Sequence, residues 1–204
     1  MASKFKNVPV INKFEIESLL RKYRELMKKK QKMDRVLFCE ILCNHFGMTD
    51  SIMMDNIFRI FDRDNDSIIN MEEWIRGLSV FLRGNLQEQI KFCFDVYDLN
   101  GDGYISRDEM YQLLKDCLKY KYTPDEDPED TKRELVDYAL KQLDMDSDSR
   151  VSFADFETAV KGKELLLECL GPCIPDYRVK LIVSDKFFRD ENDDQEIMKI
   201  KCSK

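Results

Sequence analysis

Asp98-Leu-Asn-Gly-Asp-Gly-Tyr-Ile-Ser-Arg-Asp-Glu109 is the stretch that decides the fold, because its oxygen-bearing side chains fall at positions 1, 3, 5, 9 and 12. A hard cation such as Ca²⁺ takes about six to eight oxygen ligands, and a tight twelve-residue turn can supply them. Asp98, Asn100 and Asp102 point inward from positions 1, 3 and 5, and Tyr104 at position 7 gives its backbone carbonyl. Ser106 at position 9 acts directly or through water, and the longer Glu109 closes the shell with both oxygens. Gly103 stands at position 6, where the backbone bends sharply and glycine adopts positive φ without strain. Ile105 at position 8 is apolar and suits a short strand against a partner loop.

The same pattern recurs twice. Asp62-Arg-Asp-Asn-Asp-Ser-Ile-Ile-Asn-Met-Glu-Glu73 offers Asp62, Asp64, Asp66, the Ile68 carbonyl, Asn70 and Glu73. Asp144-Met-Asp-Ser-Asp-Ser-Arg-Val-Ser-Phe-Ala-Asp155 offers Asp144, Asp146, Asp148, the Arg150 carbonyl, Ser152 and Asp155. A repeated loop of this design is the EF-hand pattern. Ser67 replaces the bend glycine in the first loop, and a non-glycine residue in the left-handed region costs about 1 kcal/mol. That ranks the Asp62 loop below the Asp98 loop. The Asp144 loop departs twice, with Ser149 at the bend and Asp155 in place of the closing Glu. A carboxylate one methylene shorter favours six-fold coordination, so Mg²⁺ gains there relative to Ca²⁺.

The flanks read as helices that share a core. Ile57, Phe58 and Phe61 precede the first loop, Cys93, Phe94 and Tyr97 the second, and Ala139, Leu140 and Leu143 the third. Trp74 and Leu78, then Met110, Leu113 and Leu114, then Phe156 and Val160 follow them at helical spacing. EF-hands pair, so three loops predict a fourth, degenerate hand. Phe14 to Met27 and Val36 to Phe46 supply its helices around the basic connector Lys28 to Arg35, which is expected to bind no ion. The predicted fold is all-α: EF-hand repeats in two paired lobes, the first hand degenerate, with short antiparallel strand pairs between loops. The expected divisions are an N-terminal lobe over 1–84, a C-terminal lobe over 85–162 and a helix and tail over 163–204. Gly84 ends one helix and Asn85 caps the next at the first boundary. Two prolines and five acids in Lys119 to Asp130 predict a solvated connector. Glu164 to Leu170 reads as a short apolar helix, stopped by Gly171-Pro172, that lies in the protein's own apolar groove until a target displaces it.

Composition narrows the function. With 43% hydrophobic and 36% charged residues the chain is long enough for a packed helical protein. No run approaches a membrane span, Ala2 is not the glycine that myristoylation requires, and the start carries no export signal, so no membrane anchor and a cytoplasmic setting are expected. Seven cysteines without a pairing framework then read as reduced thiols, and a single histidine, His45, leaves little for zinc. The net charge of −7 divides into +7 over Met1 to Val36 and −14 beyond it. The acidic part gathers carboxylates for cations, so no nucleic acid is expected as a partner; the basic start reads as a solvated helix face or a contact for an acidic surface. No nucleophile–base arrangement and no phosphate-binding glycine loop is present, so no enzyme activity is expected. An accessory subunit of a phosphatase, like calcineurin B, stays open.

Several runs are more specific. His45-Phe-Gly-Met-Thr-Asp50, Glu73-Trp-Ile75, Gly77-Leu-Ser79, Phe81-Leu-Arg-Gly84, Ser152-Phe-Ala-Asp155, and Leu165-Leu-Leu-Glu168 with Gly171-Pro-Cys173 accompany the Asp98 loop. Over residues 40–176 the chain resembles the neuronal-calcium-sensor-like EF-hand proteins, in their branch from motile cilia. The resemblance implies a Ca²⁺ sensor of the outer dynein arm and its docking complex in the axoneme of cilia or sperm flagella. Its implied partners are an outer dynein arm heavy chain, docking-complex coiled-coil proteins and doublet microtubules. Family loops carry glycine at position 6 where this chain has Ser67 and Ser149; Asp155 at position 12 agrees with the family. A sensor that exposes an apolar groove containing Met48, Met53, Met54, Met71 and Met110 is one expectation. A constitutive structural subunit of the docking complex is the other.

Overall fold

The computed structural model describes residues 12–29, 32–115 and 128–188. Within them the chain is all-α, with nine α-helices, one 3₁₀ helix and one two-stranded sheet. Helices α1 (Lys13–Lys29) and α2 (Arg35–Phe46) form the first hand, and α3 (Ser51–Phe61) and α4 (Met71–Arg83) flank the Asp62 loop. Helices α5 (Leu86–Tyr97) and α6 (Arg107–Leu114) flank the Asp98 loop, and α7 (Pro128–Leu143) and α8 (Phe153–Gly162) flank the Asp144 loop. A 3₁₀ helix over Glu164–Glu168 and α9 (Tyr177–Phe188) follow. The expected connector lies outside the described residues as far as position 127. Its last three residues begin α7, where Pro128 suits a helical first turn because its missing N–H would have no partner there.

Local chemistry sets the helix ends. Asn70, Asn85, Ser106 and Ser152 each cap a helix and form a reciprocal box with the acid three residues on. Three of those caps are also position 9 of a loop, and their partners Glu73, Glu109 and Asp155 are position 12, so one motif starts the outgoing helix and orients the closing carboxylate. Gly84 ends α4 and Asn85 starts α5 with no residue between, as the sequence predicts.

The flanking residues form one continuous core. Ile57, Phe61, Trp74, Leu78, Cys93, Tyr97, Met110, Leu143, Phe156 and Val160 are all fully buried. The position-8 residues Ile69, Ile105 and Val151 are buried as well. Strands β1 (Tyr104–Ile105) and β2 (Val151–Ser152) pair antiparallel, with Ile105 opposite Val151. The N-terminal pair of hands reduces this contact. Ile69 donates one backbone bond to the Met33 carbonyl at 2.9 Å, and the Tyr23 hydroxyl donates to the Ile69 carbonyl at 2.9 Å. A connector without the loop's carboxylates has nothing to hold a second extended residue in register.

The segment after α8 packs differently from its sequence reading. The 3₁₀ helix buries none of its own residues, and Leu165 is 84% exposed. Leu170, Cys173 and Ile174, in the strap that follows, are the buried residues. The Tyr97 hydroxyl fastens the strap by donating to the carbonyls of Gly171 at 2.6 Å and Leu167 at 3.2 Å. Helix α9 then packs on α1 and α2, setting Phe187 against His45, Phe46 and Trp74.

Candidate metal centres

All three loops adopt one backbone course. Position 6 has positive φ whether it is glycine or not: 65° at Ser67, 88° at Gly103 and 72° at Ser149. Position 4 does the same, at Asn65, Gly101 and Ser147. The position-1 aspartate holds each bend. Asp62 accepts from the N–H groups of Asp66 at 3.1 Å and Ser67 at 2.9 Å, and Asp98 from Gly101 at 2.7 Å and Gly103 at 2.9 Å. Asp144 accepts from Ser147 at 2.7 Å and Ser149 at 2.9 Å. Ser67 and Ser149 therefore carry the strain that Gly103 avoids.

Burial gathers charge at the loop ends. Asp62, Glu73, Asp98, Glu109 and Asp155 are buried carboxylates beside loop positions left in solvent. Carboxylate oxygens of Asp62, Asp64 and Asp66 all lie within 4.8 Å of one another, as do those of Asp144, Asp146 and Asp148. The Asp98 loop makes the same approach with an amide at position 3, Asn100, whose Oδ1 accepts from Asp102 N–H at 2.8 Å. Such oxygen-only, partly desolvated donor sets suit a hard divalent cation and are costly without one. The residues fit calcium. When bound, the ion would supply a charge centre that draws the carboxylates together; Asp98, Asn100, Asp102, Ser106 and Glu109 would hold it with the Tyr104 carbonyl, and the corresponding residues would do so in the other loops.

The closing residue separates the loops. Glu109 spans its loop, accepting from Asn100 N–H at 3.1 Å on one oxygen and from Ser106 N–H at 2.7 Å on the other. Glu73 does likewise, bonding Arg63 N–H at 2.8 Å and Asn70 N–H at 2.9 Å. Asp155 bonds only Ser152, at 3.0 Å to N–H and 2.5 Å to the hydroxyl. The missing methylene leaves its carboxylate on one side of the loop.

Two arginine side chains play parts that spacing does not reveal. Arg150 was read for its carbonyl, yet its guanidinium bonds Asp148 at 3.0 Å and stacks 3.8 Å from the centre of the Tyr104 ring. It holds the Asp148 carboxyl below its ordinary value, while desolvation pushes Asp146 up. A cation in the Asp144 loop must compete with this internal one. Arg59, on α3, reaches the backbone of the Asp98 loop. Its position three residues before the Asp62 loop would have flagged it, but nothing local names its partner.

The methionines divide between core and surface. Met53 and Met110 are buried, and Met48, Met54 and Met71 are partly buried against the core. An open groove of about 490 Å³ lies instead among Ile60, Val80, Lys91, Phe92 and Phe153, where α3, α4, α5 and α8 meet. No helix among the described residues is long and apolar enough to cross a membrane.

Known proteins agree with this geometry. The EF-hand domain pair family matches residues 87–161. Calaxin of Xenopus laevis is 49% identical over 188 residues, covering 89% of this chain and 90% of that protein. Human calaxin is 45% identical over 194 residues, 92% of each chain, and calaxin of Danio rerio is 46% identical over 190 residues, 90% of each. With three EF-hand loops in the calcium-binding course and relatives matched across nine-tenths of their length, this chain belongs to the calaxin family of calcium-binding regulatory proteins.

Proposed function

We propose that this protein is a Ca²⁺ sensor and regulatory subunit of the axonemal outer dynein arm and its docking complex, in motile cilia or sperm flagella. Membership of the calaxin family carries this reading, through the resemblance of the sensor's loop and flanking motifs. Its proposed partners are an outer dynein arm heavy chain and docking-complex coiled-coil proteins on doublet microtubules, with no enzymatic activity of its own. The Asp98 loop supports the sensing step, because Glu109 spans it and Gly103 bends without strain. Calcium there would enter between α5 and α6 and shift them relative to the core. Mg²⁺ is proposed as the competing ion at the Asp144 loop.

The test joins binding to assembly. Calorimetric titration of the full chain is expected to show micromolar calcium binding that Glu109→Gln removes at the strongest site. Rebinding to salt-stripped axonemes is expected to depend on outer-arm docking sites, with calcium altering dynein-driven sliding only when Glu109 is intact. Equal rebinding to axonemes that lack outer arms and docking complexes would refute the proposed location.

A constitutive docking-complex subunit is the second reading, favoured by Ser67, Ser149 and the short reach of Asp155. It predicts normal assembly with no change in exposed apolar surface below millimolar calcium.

A further inference from the structure

Arg59 belongs to α3, which leads into the Asp62 loop, yet its side chain lies against the Asp98 loop. Its Nη2 donates to the carbonyls of Asp95 at 2.8 Å and Asp98 at 2.6 Å. These carbonyls close α5, where the helix dipole leaves partial negative charge and acceptors without partners in the helix. A Cβ placed on Gly101 would stand 3.8 Å from Nη1, so the guanidinium sits beneath the first turn of the loop. The Arg59 Nε is buried without a hydrogen-bond partner, and among the described residues no carboxylate forms an ion pair with this side chain. A guanidinium cannot shed its charge to relieve that position.

The same region of negative potential would therefore serve two cations. One is fixed, on α3. The other is the ion that Asp98, Asn100, Asp102 and Glu109 are arranged to hold. We infer that Arg59 is a positioning residue that ties α3 to α5 and whose charge opposes cation binding in the Asp98 loop, so that filling the loop loosens the tie. This rests on the reading that the Asp98 loop binds calcium. Opposition is reciprocal: whatever the ion does to the hold of Arg59 on the loop, the presence of Arg59 does to the affinity for the ion. Because α3 runs into the Asp62 loop, the tie gives the two lobes a direct mechanical link.

The test uses the full chain and two variants. Arg59→Gln keeps an N–H donor and removes the charge, whereas Arg59→Lys keeps the charge and loses the fork. Arg59→Gln is expected to raise calcium affinity at the strongest site about fivefold, the low end of ordinary coupling between sites. It is also expected to lower the urea midpoint of the calcium-free protein, since the tie is weakened. Arg59→Lys should retain the parental affinity. A merely structural residue would instead lower affinity and stability together. The gain is assigned to the Asp98 loop by repeating the comparison in a Glu109→Gln background, where it should vanish. Equal or weaker affinity in Arg59→Gln overturns the inference, as does an equal gain in Arg59→Lys or a gain that persists with Glu109→Gln. A parent that binds no calcium overturns the reading beneath it as well, and is distinguishable because there is then no affinity to compare.

Discussion

Substituting Asp155 by Glu tests the geometric distinction among the loops most directly. Asp155 now accepts only from Ser152, while Glu109 reaches across its loop to Asn100 N–H at 3.1 Å. One added methylene would carry a second oxygen toward the Asp146 N–H, the equivalent donor. A hydrogen bond to a charged group contributes about 1.5–3 kcal/mol. Ordering the longer side chain takes back about 1–2 kcal/mol. The net is about 1 kcal/mol, or about fivefold in affinity at 25 °C. The Arg150 guanidinium on Asp148 stays in place and keeps the gain from growing further. Calorimetric titrations with Ca²⁺ and with Mg²⁺, in a Glu109→Gln background that silences the strongest site, would read the change. Calcium affinity should rise about fivefold with magnesium affinity little changed, since bidentate closure favours the larger ion. Unchanged calcium affinity, or a parallel rise for both ions, would refute the argument that side-chain reach limits this loop.

Other expectations follow from packing and titration. A Cβ at Gly77 would overlap the ring of Phe61, which is itself hemmed in by Phe38, Phe81 and Phe92. Gly77→Ala should therefore lose stability despite a helix-propensity gain of about 1 kcal/mol, because overpacking costs about 1–3 kcal/mol; a lower urea midpoint is the measurement. Burial, then Lys186 and Lys22, hold His45 below the ordinary imidazole value. The unfolded chain then binds the proton more readily, so stability is complete above the usual imidazole value and falls as pH drops below it. Because His45 is the sole histidine, His45→Asn should flatten the loss of urea stability between about pH 7 and 5.5. Among the five described cysteines, Cys43 is exposed whereas Cys93 and Cys173 are buried and Cys169 is pushed up to about 12. Iodoacetamide followed by peptide mass spectrometry should label Cys43 first of the five, and early labelling of Cys93 would contradict the docked strap.

Much of this architecture is local chemistry, and local chemistry is legible in a sequence. Oxygen-bearing residues at fixed loop positions, apolar residues at helical spacing and capping acids three residues on each act within one turn of chain. They determined the three loops, their flanking helices, the degenerate first hand and the weakness of Ser67, Ser149 and Asp155. Helix α9 was not legible. Val179 to Val183 beside acidic runs gives no single period, and Tyr177 to Phe188 are ordered by burying Val183 and Phe187 against residues more than a hundred positions earlier. The same holds for Arg59 and Arg150, whose charges look like solvated surface until the backbone of another helix or the ring of another loop is brought to them. Only tertiary structure decided what those side chains touch, because long-range contacts are set by the summed packing of all the helices and by no residue's immediate neighbours.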